Sequence, residues 1–443
     1  MVSKNIAVVI LAAGKGTRMK SEMPKVMHKI AGYPMIKYVL ANVSVLSPKS
    51  ITVVVGPDMK PVEEAVRAWD KRIKCVVQKN RRGTGDAVKH AKNLVGFKGA
   101  VLVLYADTPF ITPETMQFMI EQIYREQNNA LVVLGFSPED SAEYGRILLD
   151  EKGRLAEIVE YKDANEEQRK IELCNAGVMA IRGELLFDLL GKLKPNNAKK
   201  EYYLTDLVSI ARDHGYYSQV VEVGEDEVMG INSRDQLAYA ESLVQNSLRW
   251  DAMSGGATLI APETVFLSHD TQIGQDVIIH PNVVIGSGVV IENNVEIKSF
   301  SHLEGVHIKS GASIGPFARI RPGTIIGEDS KIGNFVEIKN SDLSEGTKIG
   351  HLSYIGDTKI GKNANIGAGT VTCNYDGKNK FRTEIGDSAF IGSNTSLVAP
   401  VKIGKNALVG AGSTVTKDVK PNSRVINHMP QIELQKGKKN KKS

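Results

Sequence analysis

A chain of 443 residues is too long for one ordinary core, so two or three domains are expected. Its apolar fraction of 42% and charged fraction of 24% are those of a soluble globular protein, and no apolar run approaches the roughly 20 residues that cross a bilayer. The net charge of +6 gives no reason to invoke nucleic acid, because Lys436, Lys438, Lys439, Lys441 and Lys442 supply five of the six charges from the last eight residues. Cys75, Cys174 and Cys373 offer neither a disulfide framework nor zinc-ligand spacing, so a cytoplasmic setting is expected.

In chain order, the first element is Ala7 to Ala13, AVVILAA. It has the apolar length of a signal-peptide core but runs into Gly14-Lys15-Gly16-Thr17-Arg18 without a clean cleavage pattern. A buried parallel strand feeding a glycine loop is the better reading. Further short apolar runs at 51–55, 74–78, 101–105 and 131–136 alternate with helix-like stretches. That alternation predicts an α/β domain, Rossmann-like, with a mostly parallel sheet. Ligands bind beyond the carboxyl ends of such strands, so the loops after the first and fourth carry most weight.

The first of these loops, Leu11-Ala12-Ala13-Gly14-Lys15-Gly16-Thr17-Arg18-Met19, is neither a Walker A loop nor a G-x-G-x-x-G fingerprint. Its glycines let backbone N–H groups approach a polyanion, with Lys15 and Arg18 adding charge; a plain tight turn has the same signature. Lys25, after Pro24, is either a second phosphate contact or a solvated lysine. The second loop, Leu104-Tyr105-Ala106-Asp107-Thr108-Pro109, sets a lone carboxylate where Mg²⁺ could sit, since that ion usually takes one or two protein oxygens plus phosphates and waters. The alternative is an N-cap for a helix near Thr112. Asn232 is a second metal candidate, or a capping residue beside Ser233-Arg234-Asp235-Gln236. Leu237, Val244 and Leu248 predict a connecting helix over about 233–252, ended by Gly255-Gly256.

From residue 273 an aliphatic side chain returns at every sixth position: Ile273, Ile279, Ile285, Ile291, Ile297, Leu303. After one-residue slips the series continues through Ile308 to Ile338, Leu343 to Ile355, and Ile360 and Ile366, then from Ile385 to Val415. Period six suits neither a helix nor a hairpin meander. It suits a parallel β-helix with three short faces and about eighteen residues per coil. One aliphatic per face points into the prism, and glycine and small residues are expected at the corners. The longest break, Thr372 to Lys380, contains Asp376-Gly377 and marks an excursion from the prism. His351-Leu352-Ser353-Tyr354-Ile355-Gly356-Asp357 is the other stretch rich in chemistry.

Several ordered motifs, LAAGKGTRM at 11–19, PKVMHKIAG at 24–32, RRGTGDAV at 81–88, YGRI at 144–147, IVEYKDA at 158–164, GHLSYIGD at 350–357 and NIGAGTVTCNYDG at 365–377, carry a resemblance over nearly the whole chain. They resemble the bifunctional N-acetylglucosamine-1-phosphate uridyltransferase and glucosamine-1-phosphate acetyltransferase family of bacterial cell-envelope synthesis. The resemblance implies a uridyltransferase domain at 1–231, a helical linker at 232–252, and a left-handed β-helix acetyltransferase domain at 253–443. It implies UTP, N-acetylglucosamine 1-phosphate, acetyl-CoA and glucosamine 1-phosphate as small-molecule substrates, Mg²⁺ as cofactor, and a homotrimer without nucleic-acid or membrane partners.

Carried over by position, Leu11, Ala12, Ala13, Gly14 and Lys25 border nucleotide and phosphates, while Gln78, Gly83 and Thr84 read uracil. Tyr105, Gly145, Glu160 and Asn175 hold ribose and sugar, Asp107 and Asn232 hold Mg²⁺, and Arg18 offsets charge. His351 is the general base, and Arg321, Lys339, Tyr354 and Asn365 bind the sugar phosphate. Ala368, Asn374, Tyr375, Ser393 and Ala411 line the acetyl-CoA path. Two positions depart from the family: Ala106 replaces a usual glycine, and His428 an arginine associated with coenzyme A phosphates, for which the 436–442 lysines are expected to compensate in part. The competing readings are a nucleotidyltransferase with a purely structural β-helix, and a non-catalytic assembly subunit.

Overall fold

The computed structural model describes residues 5–141, 144–427 and 431–433, so His428 and the 436–442 lysines lie outside the described residues. The chain divides into two compact units, residues 1–241 and 242–443.

The first unit is built on one twisted sheet. Its main strands run in the spatial order Tyr217–Glu222, Asn129–Phe136, Cys174–Arg182, Ala100–Tyr105, Ile6–Leu11, Ser50–Val55, Lys74–Val77. The pairings are parallel except those made by Cys174–Arg182 and by the added hairpin of Arg146–Leu149 with Leu155–Val159. Ile6–Leu11 is apolar throughout because both faces of the sheet are covered. Ile6, Val8 and Ile10 enter one core, and Ala7, Val9 and Leu11 the other. From this strand the chain first winds outward through Ser50–Val55 to Lys74–Val77, then returns to pair Ala100–Tyr105 on its opposite side. The order therefore reverses between Leu11 and Tyr105, which face each other across the parallel ladder. That reversal leaves a crevice at the carboxyl ends of the two strands. The helix Arg234–Ser254 follows, close to the span expected from its apolar spacing.

The second unit is a three-sided parallel β-helix, with sheets of ten, eight and eight strands. Most strands are two or three residues long, with one side chain turned in. On one face Ile279, Ile297, Ile314, Ile332, Ile349, Ile366, Ile391 and Val409 stack in register. Every aliphatic of the six-residue series is buried except Ile273, which packs partly buried on the same column. The one-residue slips are coils shortened at a corner, as where Ile291 pairs Ile308. The 373–384 interruption is absorbed in a single coil, since Ile360 pairs Ile385 directly. Gln245 and Arg249, both buried, tie the helix to the first coil: Gln245 exchanges bonds of 2.7 and 2.9 Å with Leu267, and Arg249 donates to Pro262 at 2.9 Å.

Most glycines following the inward aliphatics act differently from the expectation, Gly315 with its φ of 93° being an exception. Gly327, Gly333, Gly361, Gly386 and Gly404 lie outside the left-handed region. They are small because the next coil passes directly over them: a Cβ on Gly333 would lie 1.8 Å from the carbonyl oxygen of Gly350. The left-handed corners fall to other glycines and to residues such as Asn282, Asn294, Asn363, Asn394 and Asn406. Asparagine tolerates that conformation through local hydrogen bonding. One corner instead carries Phe300, Phe317, Phe335 and Leu352, all exposed. The three rings stack with centroids 5.0 and 5.1 Å apart, which offsets part of the backbone cost.

The stacking role of Gly333 has a direct consequence. Gly333→Ala should destabilise the β-helix by about 1–3 kcal/mol through overpacking. Gly350→Ala, whose Cβ would meet nothing within 4 Å, should stay within about 0.5 kcal/mol. Thermal unfolding of the two variants beside wild type checks the difference.

Candidate active sites

At the crevice of the first unit lies a cavity of about 310 Å³, within the range of small-molecule sites. It brings together Leu11, Ala12, Ala13, Gly14, Lys25, Gln78, Gly83, Thr84, Tyr105 and Asp107 from the expected set, and adds Val26, Arg81, Ala87 and Glu201. Gly16 has a left-handed φ of 62°, and a Cβ there would lie 2.6 Å from the Cβ of Lys25. Glycine thus lets the loop close over Lys25. Gly83 is similarly required, because the backbone of Tyr202 crosses it and a Cβ would sit 2.6 Å from that carbonyl. Arg18 is exposed at the loop's far side. Arg81 donates from Nε to the Ala13 carbonyl at 2.5 Å and pairs with Asp58, so it braces the loop from behind.

The Lys25 ammonium lies between the Asp107 carboxylate and Asn232 Oδ1, which it meets at 2.8 Å. Three segments distant in sequence thereby converge on one cation position. Asp107 does not cap the following helix; Thr112 does, accepting from Thr115 N–H. The Asn232 side chain is likewise turned to Lys25, while its backbone N–H donates to Gln236. A carboxylate and an amide oxygen sharing a cation suit a hard divalent ion completed by phosphates and water. Among the described residues no group of three or more His, Cys, Asp or Glu forms a fuller metal cluster. Ala106 is buried and its φ is not positive, so the methyl at this family glycine position carries no left-handed penalty.

Gly145, Glu160 and Asn175 form the adjoining wall. Asn175 N–H donates to Gly145 O at 2.8 Å, and a Cβ on Gly145 would lie 3.6 Å from Glu160 Oε2. Burial holds the Glu160 carboxyl above its usual range, against the Thr205 hydroxyl that donates to it at 3.3 Å. Burial, then Glu160, Asp163 and Glu157, push Asp206 up to about 6. Burial, followed by the charges of Glu160 and Asp107, raises the Tyr105 phenol. The cavity sets apolar walls from Leu11, Ala12, Val26 and Ala87 against the cations Lys25 and Arg81 and the carboxylates Asp107 and Glu201. Such cations suit phosphates, and such carboxylates suit hydroxyl donors.

In the second unit His351 ends the strand Lys348–His351, exposed, with Nδ1 2.5 Å from Asn334 Oδ1 one coil below. An amide oxygen there requires the proton on Nδ1 and leaves the Nε2 lone pair outward, as a general base needs. Asn334 escaped the sequence reading, although the seventeen-residue coil offset places it directly beneath His351. Ala368, Ser393 and Ala411 occupy the same corner on successive coils. Asn394 N–H donates to Ala368 O, Gly412 N–H to Ser393 O, and Gly369 N–H to His351 O. Ala368, Ser393 and Ala411 thus share one corner line with His351, while Asn374 and Tyr375 lie in the excursion. Tyr354 opens the next face, and Asn365 stacks on Lys348.

Arg321 donates to Glu337 at 2.8 Å. The Lys380 ammonium beside Lys339, with Arg321 nearby, depresses the ammonium of Lys339 below its usual range. Lys380, which was not foreseen, thus lies beside the expected Lys339, while Arg321 is paired with Glu337. Lys380 comes from the excursion, which closes as a tight loop through the Tyr375–Lys380 bridge and returns with Phe381 N–H on Asn374 O at 2.8 Å. Asn374 is anchored to Asp357, and Tyr375 stands exposed at the loop's start.

Comparison with known proteins agrees with both geometries. Residues 8–173 match the MobA-like NTP transferase domain, residues 270–305 and 382–417 the bacterial transferase hexapeptide (six repeats), and 303–375 the GMPPB C-terminal domain. A bifunctional protein GlmU of Paramagnetospirillum magneticum is 52% identical over 98% of this chain and 96% of its own. Those of Zymomonas mobilis and Rhodospirillum rubrum are 49% and 53% identical over 96% of this chain and 94% of theirs. No described helix is long and apolar enough to cross a membrane.

The shared cation position makes Lys25 and a divalent ion competitors in the nucleotide-free protein. Lys25→Met should therefore bind Mn²⁺ without nucleotide roughly three- to tenfold more tightly than wild type, read by electron paramagnetic resonance. Equal affinity would rule out the competition.

Proposed function

We infer, for a chain that belongs to the family of bifunctional GlmU proteins, that it makes UDP-N-acetylglucosamine by two reactions, one in each unit. The second unit transfers acetyl from acetyl-CoA to the amine of glucosamine 1-phosphate. The first transfers uridylyl from UTP to the resulting N-acetylglucosamine 1-phosphate and releases pyrophosphate. The observation that most directly supports two chemistries in one chain is His351, its Nδ1 paired with Asn334 Oδ1 on the corner shared by Ala368, Ser393 and Ala411, far in sequence from the Lys25 cation position.

In the first reaction a phosphate oxygen of the sugar attacks the α-phosphorus of UTP, and the bond to the β-phosphate breaks. Pyrophosphate leaves on its own charge, so no protein nucleophile is needed; alignment and charge compensation suffice. Backbone N–H groups of Ala13 and Gly14 and the cations Lys15, Arg18 and Lys25 hold the triphosphate. Glu160 and Asn175 accept and donate to sugar hydroxyls. Asp107 and Asn232 would hold a divalent ion, Mg²⁺ in our reading, which neutralises phosphate charge when bound.

In the second reaction the amine must lose a proton before it attacks the thioester carbonyl. His351 Nε2 takes that proton, the free amine forms the C–N bond as the C–S bond breaks, and the amine's second proton passes to the departing sulfur so that coenzyme A leaves as the thiol. Arg321, Lys339 and Lys380 hold the acceptor's phosphate, with Tyr354 and Asn365 on the sugar. We further propose a cytoplasmic homotrimer without nucleic-acid or membrane partners. The exposed corner of Phe300, Phe317, Phe335 and Leu352, beside His351, supports a neighbouring copy there.

His351→Ala should lower thiol release from acetyl-CoA by about 10²–10⁴ in kcat while pyrophosphate release from UTP is retained. A folded variant that loses both activities contradicts the division of labour. Lys380→Ala should raise KM for glucosamine 1-phosphate about tenfold with kcat little changed, since it removes one cation from a ground-state phosphate contact. Steady-state thiol release at varied acceptor concentration measures both constants.

A further inference from the structure

We propose that Asp86 is a specificity-determining positioning residue, which selects uracil over cytosine by fixing the end of the Gln78 amide that faces the base. The proposal rests on the reading of this cavity as a nucleotide site. Gln78 is only 3% exposed, and its backbone N–H donates to Val55 O at 2.9 Å. Its side chain nevertheless reaches the cavity wall. Nε2 lies 3.1 Å from the Gly83 carbonyl and 2.9 Å from Asp86 Oδ2.

Both of those partners can only accept. One is a backbone carbonyl; the other is a carboxylate whose second oxygen takes the Arg82 guanidinium at 2.9 Å. Turning the Gln78 amide over would set its carbonyl oxygen against two acceptors, leaving two buried contacts repulsive. The two N–H groups are therefore committed to the protein. Oε1 accepts no hydrogen bond from any described residue and is the atom left for a ligand.

A pyrimidine entering the pocket thus meets an acceptor. Uracil carries N3–H and can donate to it; cytosine carries a lone pair at N3 and is repelled there. Asp86 touches Gln78 and not the cavity, so it acts through the amide. Its own position is well determined. It is 3% exposed in the helix Thr84–Lys89, and Arg82 is held by Tyr202, whose N–H donates to Arg82 O at 2.8 Å and whose ring lies 5.6 Å from the guanidinium carbon.

The test is Asp86→Asn in the full chain. Asparagine still offers Arg82 an oxygen, but it can turn an N–H toward Gln78 and release the amide to rotate. Pyrophosphate release with N-acetylglucosamine 1-phosphate is measured for UTP and for CTP, and binding of each nucleotide by calorimetry in the same samples. The ratio of UTP to CTP, in kcat/KM and in affinity, should fall about tenfold or more, mainly through loss with UTP. An unchanged ratio, or equal losses with both nucleotides, overturns the proposal, because a purely structural role would move both together. Should Asp86→Asn fail to fold, by thermal unfolding, Asp86→Ala removes the acceptor from Gln78 Nε2 and should lower the ratio in the same direction. An unchanged ratio in that variant overturns the proposal. A wild type that binds UTP over CTP yet releases no pyrophosphate contradicts the proposed reaction, while the binding ratios still judge Asp86.

Discussion

Parallel strands stacked at a fixed pitch of about 4.8 Å are the constraint on which both units depend. In the first unit the pitch fixes Leu11 opposite Tyr105, and the reversal of winding between them leaves the two carboxyl ends uncovered. Loops that follow adjacent parallel strands must then emerge side by side. That is how the loops bearing Lys25 and Asp107 come together, while Asn232 joins them from the segment that follows the edge strand Tyr217–Glu222. In the second unit the same pitch lines up whatever stands at a given corner. Asn334, His351, Gly369 and Ser393 become neighbours through coil register alone. Catalytic geometry in both units is thus set by strand stacking before any side-chain contact is made.

The ease of reading the sequence follows from how local each determinant is. A six-residue period is local, so the prism and nearly its whole inward column were legible. The apolar runs of the sheet were legible for the same reason, since burial on both faces removes polar residues from the central strands, while the edge strand Lys74–Val77 is only partly buried. Residues acting through spatial neighbours were not. Asp86 looks like an ordinary acidic residue in the first turn of a short helix, and only its bond to Gln78 distinguishes it. Asn334 and Lys380 lie outside the recognisable motifs. Their roles depend on the coil offset and on how the excursion closes. The glycines after inward aliphatics were visible but assigned to corners, because sequence alone does not separate a small residue needed for φ from one needed for space.

Charge is distributed in the first unit as the reaction requires. A triphosphate and a sugar phosphate brought together repel, and cations at one end of the cavity offset that. In our proposal Glu160 and Asp206, whose carboxyls burial holds above their usual range, accept from sugar hydroxyls.

The two units also show why one needs a titrating side chain and the other does not. Pyrophosphate is a competent leaving group, and a sugar phosphate is already anionic near neutral pH. The first unit has only to bring phosphates together and balance their charge, and its key groups are fixed cations and fixed acceptors. An amine in water is held as ammonium, so acetyl transfer must begin with proton removal. In our proposal that demand falls on His351, whose Nδ1 faces Asn334 Oδ1 one coil below. The principle of control we propose is shared. Asn334 would leave the other imidazole nitrogen as the acceptor, as Asp86 leaves the Gln78 amide oxygen. In each unit a neighbouring polar side chain, removed from the substrate, would then decide which atom the substrate meets.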